Sequence, residues 1–494
     1  MFNIVRVLLF GGIVGKVLAV ARELLSAWLF GTGLVASAYR IAQSGFLIPL
    51  NGFVSDALSA GFMPRFAQNR VSTFDKAVSL FAGLHAVLLT ISSLVALALI
   101  VFSKQWVALL APGFDDAAAN LASAMLQIMA LSMPAFVLTA LYSSAELVRG
   151  KGDLAAARAS IQSSGLILGT VMAWWRSQPL LIPVGISLSN FALAYRGIMS
   201  ARADGLRFWP HRAELAVVRT ELRFVWLAFR LLIWVPVLMQ VHFIIERRVA
   251  SVVGSEAVVA LDYARFITET IAVLTAVPFG IAGLSVMSTM GVEAFMEASR
   301  RSLRALIYLG VPISACIGVH AGLIVKCVFT RGAFNAESAA VTSTILAGIA
   351  GGLWAQLPGY AGAKFLNARG QNGALLVLVA SGVGLNVAVN LLGYRLFGPV
   401  TLGVANACNN VVFGVLVLWR VGVLRFLIRD LMGLALATAG YILLWQLVPR
   451  ALHENLFAAA AIAAIYWGFA IFGIPRHRSA VYEAVALLRT REQA

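Results

Sequence analysis

Charged side chains inside otherwise apolar segments are the residues of this sequence with the clearest chemical potential. Lys16, Arg22 and Glu23 fall within one apolar stretch, and Arg265 and Glu269 fall within another. Lys16 and Glu23 are seven residues apart, two turns of a helix, so both would lie on one face. Clustered cations in a dry cavity suit an anionic ligand, and arginine holds phosphate through two parallel hydrogen bonds. The pattern predicts a cavity for an anionic ligand that carries phosphate.

The second apolar stretch contributes two further charges, Arg40 and Asp56. Ionisable groups within a membrane span are costly, so they face a cavity or a partner. Arg40 stands near a predicted helix end, where snorkelling to the lipid headgroups is an alternative. For the charges of the first and eighth predicted helices, ion pairs that serve only the structure are the alternative.

Asparagines form a second candidate site. Asn386 and Asn390 lie one turn apart on the eleventh predicted helix, and Asn406, Asn409 and Asn410 lie on the twelfth. Hydrogen bonds between helices are one interpretation of these amides. A small cation held by amide and carbonyl oxygens is the other.

The composition indicates which elements must position these residues. The chain has 494 residues, of which 61% are hydrophobic and 12% charged, with a mean hydropathy of +0.89. A soluble domain is about half apolar and about a quarter charged, so a water-soluble enzyme, a disordered chain and a disulfide scaffold are excluded. Lipid cannot satisfy bare backbone groups, so the spans must be helices. Hydropathy predicts about fourteen of them in an all-α polytopic membrane protein. The predicted spans are 4–30, 38–64, 77–102, 119–147, 156–175, 179–200, 222–248, 256–287, 302–328, 337–366, 373–396, 399–420, 426–448 and 454–474.

The net charge of +17 comes from basic residues that concentrate in alternate loops and in the C-terminal tail. Lys and Arg accumulate in the cytoplasmic loops of membrane proteins. The bias therefore predicts a multi-pass membrane protein with an even number of spans and both termini in the cytoplasm. Nucleic-acid binding is the weaker explanation of this charge.

The sequence contains an internal repeat. Phe114 and Phe334 stand in similar loops and lie 220 positions apart, and Arg149 and Arg369 share that offset. Six helices would therefore occur twice with the same orientation, which is a common transporter plan. The repeat predicts an N-lobe at 1–210, a C-lobe at 211–424, and two further helices with a basic cytoplasmic tail at 425–494.

A series of short motifs runs along the chain in a fixed order. It comprises Lys16-Val-Leu-Ala-Val-Ala-Arg22-Glu23, Phe30-Gly31-Thr-Gly33, Gly61-Phe-Met-Pro64, Leu110-Ala-Pro-Gly-Phe114, Ile245-Glu246-Arg-Arg-Val-Ala-Ser251, Arg331-Gly-Ala-Phe334, Ala368-Arg-Gly370 and Leu385-Asn-Val-Ala-Val-Asn-Leu-Leu392. This series resembles the MurJ/MviN family of lipid II flippases over roughly residues 4–420. The resemblance implies the MOP superfamily fold, which multidrug (MATE) transporters share. It also implies location in the bacterial inner membrane and export of undecaprenyl-pyrophosphate-linked saccharide, the peptidoglycan precursor lipid II, from the inner to the outer leaflet.

The resemblance also implies site residues, with some departures. Lys16 stands where the family has an arginine, Arg22 matches the next one, and Asn51 stands near a basic position of helix 2. Arg265 is displaced by one position from the family's arginine, which turns its side chain by about 100°. The family's sodium site would correspond to Glu246, Asn386, Asn390 and Asn406.

These expectations combine into a flippase that works by alternating access. Lys16, Arg22 and Arg265 would bind the pyrophosphate, with Arg40 near the entrance. Glu23, Asp56 and Glu269 would hold these cations when the site is empty. No cofactor is expected, and the membrane potential or exchange of Na⁺ or H⁺ would drive the cycle. Membrane lipids and the cell-envelope synthesis machinery are the expected partners.

Three alternatives remain open from the sequence. A flippase for exopolysaccharide, capsule or O-antigen lipid precursors would need the same kind of cavity. A multidrug or cation antiporter would need fewer cations there. A membrane glycosyltransferase or polymerase would need acidic or basic groups on sizeable loops, whereas the first outer loop, residues 31–37, has no acidic residue.

Overall fold

A computed structural model describes residues 2–49, 54, 58–230, 234–287, 290–473 and 478, and all regular secondary structure in this part of the chain is helical. The predicted all-α class is confirmed. The first helices are α1 Phe2–Phe30, α2 Leu34–Leu47, α3 Met63–Ser72, α4 Phe74–Val101, α5 Ser103–Leu110, α6 Asp116–Leu131, α7 Met133–Val148, α8 Asp153–Arg176, α9 Leu181–Ala203, α10 Leu215–Phe229 and α11 Trp234–Val253. They are followed by α12 Ser255–Met287, α13 Val292–Val319, α14 Ala321–Phe329, α15 Ala336–Ala368, α16 Asn372–Phe397, α17 Pro399–Val421, α18 Leu424–Leu447 and α19 Leu456–Phe472.

The described helices include seven that are long and apolar enough to cross a membrane, namely α4, α9, α13, α15, α16, α17 and α18. An eighth is counted if α6 and α7, which are bent by 44° at their break, form one span. Helices α1, α11 and α12, which carry most of the deep charges, are not among the seven. The protein is a polytopic helical membrane protein, and the number fourteen stays a prediction.

The chain divides into two compact units. The first comprises residues 1–258 and 331–334, and the second comprises residues 259–330 and 335–494. The bounds of the two units are set by packing, whereas the bounds of the predicted lobes are set by the sequence repeat. Helices α10 and α11 lie in the predicted C-lobe but belong to the first unit. The lobe boundary at 210 stays a prediction about the repeat.

The helix ends repeat with the spacing found in the sequence. Asp115 caps α6 by accepting a hydrogen bond from the Ala118 amide at 2.9 Å, and Asn335, 220 positions later, caps α15 in the same way at 2.8 Å. Such caps satisfy amides that have no partner within the helix. Helices α7 and α15 are each followed by Arg-Gly, and Gly150 and Gly370 have φ of +83° and +71°. The repeat is therefore present in local structure as well as in sequence.

Helix α10 is pinned to the first unit along one face. Val218, Glu221 and Val225 are buried on this face. Arg65 donates to both Glu221 carboxylate oxygens at 2.6 and 2.8 Å, and Asn69 donates to one of them at 2.8 Å. Burial raises the pKa of Glu221, but these hydrogen bonds and the charge of Arg65 outweigh it, so the pKa lies below its usual range.

Candidate functional site

A buried carboxylate joins α1 to α2 in the first unit. Glu23 is 4% exposed and accepts hydrogen bonds from Arg22 at 2.7 and 3.2 Å. Arg40, which is 7% exposed, donates to both carboxylate oxygens of Glu23. Two arginines therefore share one counter-ion. The burial of Arg40 excludes the snorkelling alternative, because its guanidinium points to Glu23 rather than to the headgroups.

The two arginines differ in access to ligands. The side chain of Arg22 is 24% exposed and that of Arg40 is 9% exposed. The cavity that the cluster lines with α8 and α9 holds about 10 Å³, the space of roughly one water molecule. A diphosphate would therefore reach this cluster from the open side of Arg22.

Three other predicted residues belong to the same part of the chain. Lys16 is half-buried on α1, two turns before Glu23. Asn51 and Asp56 lie outside the described residues.

In the second unit, α12 carries the other predicted cation. Arg265 is half-buried and donates a hydrogen bond to the Asn406 side-chain oxygen on α17 at 2.9 Å. Asn406 in turn donates to the Leu402 carbonyl oxygen at 2.9 Å. Glu269 lies one turn beyond Arg265 and is exposed. The structure thus connects Arg265 with one of the residues predicted for a cation site.

The remaining residues of the predicted cation site divide between the units. Glu246 is fully buried on α11 in the first unit. Asn386 and Asn390 are buried on α16 in the second, where Asn390 donates to the Asn386 side-chain oxygen at 2.8 Å. The Asn390 side-chain oxygen and the Thr401 hydroxyl are buried and have no hydrogen-bond partner in the described part of the chain. These two oxygens fit the ligand chemistry of a small cation.

A loop of the second repeat docks on the end of α1. The Ala333 amide donates to the Trp28 carbonyl oxygen at 2.8 Å. Gly31 and Gly332 both have positive φ, of +57° and +59°. A Cβ at Gly332 would lie 2.2 Å from the Trp28 ring, and one at Gly31 would lie 2.4 Å from the Ala333 carbonyl oxygen. Only glycines allow this contact.

The equivalent loop of the first repeat docks on the end of α11. The Gly113 amide donates to the Ser251 hydroxyl at 3.4 Å, and Arg248 donates to the Leu109 carbonyl oxygen at 3.1 Å. A Cβ at Gly113 would lie 2.1 Å from the Ser251 carbonyl oxygen. Each repeat therefore places its loop on the first helix of the other, and both contacts lie within the first unit.

Comparison with known proteins decides the family. A family model described as the lipid II flippase MurJ matches residues 26–469. The chain belongs to the MurJ family of lipid II flippases. This is a family of membrane transporters and not of enzymes, and the resemblance seen in the sequence is confirmed.

Individual MurJ proteins and solved structures support the same family and fold. The chain is 26% identical over 461 residues to a probable lipid II flippase MurJ of Synechocystis sp., covering 88% of this chain and 83% of that protein. It is 26% identical over 433 residues to the probable lipid II flippase MurJ of Rhizobium tropici, covering 79% of this chain and 75% of that protein. A structure of lipid II flippase MurJ in an inward closed conformation has a TM-score of 0.79 at 16% identity and covers 94% of this chain and 97% of that one. An inward-facing multidrug resistance MATE transporter of the MOP superfamily has a TM-score of 0.67 at 14% identity, covering 83% of this chain and 95% of that one. The expected MOP fold is thereby confirmed.

Two features of the site in this MurJ-family chain were not predicted from the sequence. The first is the pairing of Glu23 with Arg40, which lies 17 positions away on another helix, so that helical spacing within α1 does not reveal it. The second is the Thr401 hydroxyl. Gly393 could have indicated it, because this glycine leaves room for the hydroxyl between α16 and α17.

Proposed function

We propose that this protein moves lipid II, an undecaprenyl-pyrophosphate-linked saccharide, from the inner to the outer leaflet of the bacterial inner membrane. The match of residues 26–469 to the lipid II flippase family carries this proposal. Alternating access would expose the headgroup site to each side in turn, while the polyprenyl tail stays in the bilayer.

Accessible cations support a diphosphate ligand. Arg22 is partly exposed beside its buried counter-ion, and Arg265 is half-buried on α12. Guanidinium groups pair with phosphate oxygens through directional, charge-assisted hydrogen bonds. Lys16 adds a third cation on α1, whereas Arg40 holds Glu23 in place.

The energy source follows from the charge of the ligand. Outward movement of a negative headgroup is favoured by an inside-negative potential, by about 2.3 kcal/mol per charge per 100 mV. Exchange of Na⁺ or H⁺ is the second candidate driver. The buried oxygens of Asn390 and Thr401 are suited to hold Na⁺, and the family resemblance implies Asn386, Asn406 and Glu246 as further ligands.

Basic loops support the topology. The excess of Lys and Arg in alternate loops supports a topology with both termini in the cytoplasm under the positive-inside rule. Headgroups would then enter the site from the side on which lipid II is made.

The proposal is tested by substituting the accessible cations. Purified Arg22→Ala and Arg265→Ala variants are reconstituted in vesicles with labelled lipid II, and the fraction accessible from outside is followed over time. Each loses at least one charge-assisted contact of about 1.5–3 kcal/mol, so flipping should fall by about tenfold or more. Full activity of both variants at normal expression would mean that the headgroup assignment is wrong.

Depletion of the protein in cells identifies the saccharide. Lipid II should accumulate on the cytoplasmic side of the inner membrane. Accumulation of an exopolysaccharide, capsule or O-antigen lipid precursor with normal lipid II would replace the proposed substrate with that lipid.

A further inference from the structure

Three amide side chains meet between α15 and α17 in the second unit. Asn410 donates to the Gln356 side-chain oxygen at 3.4 Å, and Asn409 donates to the Asn410 side-chain oxygen at 3.3 Å. All three residues are half-buried. Gly382 of α16 leaves room for Asn409, because a Cβ there would lie 2.8 Å from the Asn409 side-chain oxygen. We call Gln356, Asn409 and Asn410 the amide cluster.

The amide cluster keeps both donors and acceptors open. The Gln356 nitrogen donates to no described residue, the Asn409 side-chain oxygen accepts from none, and neither atom is buried. If the nitrogen and oxygen of one of these amides were assigned the other way round, the side chain would still carry one donor group and one acceptor. A network that served only helix packing would satisfy these groups internally, because unpaired polar groups are costly within a membrane.

The open groups select the class of ligand. A metal cation takes oxygens and rejects N–H donors, and an anion takes donors and rejects carbonyl oxygens. A sugar hydroxyl donates and accepts at the same time, and an acetamido group offers one N–H and one carbonyl. Neutral amides that present both functions match these groups.

The amide cluster adjoins the proposed diphosphate site. Asn406, which holds Arg265, lies one turn before Asn410 on α17. On α15, Tyr360 lies one turn after Gln356 and contacts α12 near Gly280, where a Cβ would lie 3.1 Å from its ring. Gly280 is far along α12 from Arg265, so the closeness of the amide cluster to Arg265 rests on Asn406 and Asn410 of α17.

From this arrangement we propose that the amide cluster binds the saccharide of the transported lipid through its hydroxyl and acetamido groups, beside the diphosphate held by Arg265. This inference rests on the proposed function. It assigns the amides to recognition of the sugar and Arg265 to recognition of the phosphates. A ligand that has the diphosphate but no sugar would contact Arg265 alone.

The test compares two ligands on the purified full-length protein. Affinities for lipid II and for undecaprenyl diphosphate, which lacks the saccharide, are measured for the wild type, Gln356→Leu and Asn410→Leu. Both variants should bind lipid II about tenfold more weakly, the equivalent of about 1.4 kcal/mol, and undecaprenyl diphosphate unchanged. Equal weakening for both ligands, or for neither, would overturn the proposal.

Two further variants separate the possible failures. Gln162→Leu is the matched control, because Gln162 donates to Asn190 at 2.9 Å in another interhelical amide pair, and it should leave the ratio of the two affinities unchanged. Arg265→Ala should weaken both ligands. If Arg265→Ala weakens both and the amide variants weaken neither, the saccharide assignment fails alone. If Arg265→Ala weakens neither, the proposed headgroup site fails.

Discussion

The docked loop on α1 offers the sharpest test of the structure, through Gly332→Ala. The added Cβ would lie 2.2 Å from the Trp28 ring and 2.4 Å from the Trp28 carbonyl oxygen, at a φ of +59°. The left-handed conformation costs alanine about 1–2 kcal/mol, and overpacking costs about 1–3 kcal/mol more. The docked state should therefore lose about 2–5 kcal/mol, which is at least about thirtyfold in the docking equilibrium.

Hydrogen–deuterium exchange of the purified protein measures this loss. Amides at 331–334, including that of Ala333 on Trp28, should exchange at least about thirtyfold faster in Gly332→Ala. Gly370→Ala is the matched control, because Gly370 has a φ of +71° but open space around its Cβ position. It carries only the backbone cost, at a different loop. If exchange at 331–334 is the same in the two variants, the close contact with Trp28 is refuted.

Two further predictions concern buried charges of the first unit. Arg40→Met should destabilise the protein by about 3–5 kcal/mol, because it leaves Glu23 with one partner, and Glu23→Gln in the same chain should restore most of the loss in thermal unfolding. If Glu23→Gln did not restore the stability lost in Arg40→Met, the pairing of Arg40 with Glu23 would be contradicted. The lowered pKa of Glu221 means that its contribution to stability is complete above the ordinary carboxyl pKa and is lost as the pH falls through the lowered value. Proteolysis should therefore cut α10 more readily as the pH falls, and in Arg65→Gln this increase should begin at a higher pH.

Local sequence was sufficient to find the repeat and its loops. The offset of 220 positions was read from Phe114 and Phe334, and the caps Asp115 and Asn335 keep the same offset. Side-chain type predicts such caps well, because a short acceptor beside the first free amides satisfies them without distant partners. The all-helical class was equally accessible, since lipid leaves an apolar chain few other structures.

Pairing between helices was not accessible from one sequence. Helical spacing placed Lys16 and Glu23 on one face of α1, but it did not show that Glu23 pairs with Arg22 and Arg40. The predicted span 222–248 likewise falls on parts of two helices, α10 and α11. Hydropathy averages over a window, so it does not locate the ends of individual helices. Such features depend on which helices pack together.

The sharing of Glu23 explains how one arginine can serve a ligand while the other serves the structure. If Arg22 were its only partner, a phosphate that attracted Arg22 would leave a buried carboxylate unpaired, at a cost of several kcal/mol. Arg40 donates to both oxygens of Glu23, so the carboxylate keeps a counter-ion when Arg22 turns to a ligand. The exposed fractions, 24% for Arg22 and 9% for Arg40, agree with this division. Loss of Arg22 should therefore reduce transport with little loss of stability, and loss of Arg40 should reduce stability first.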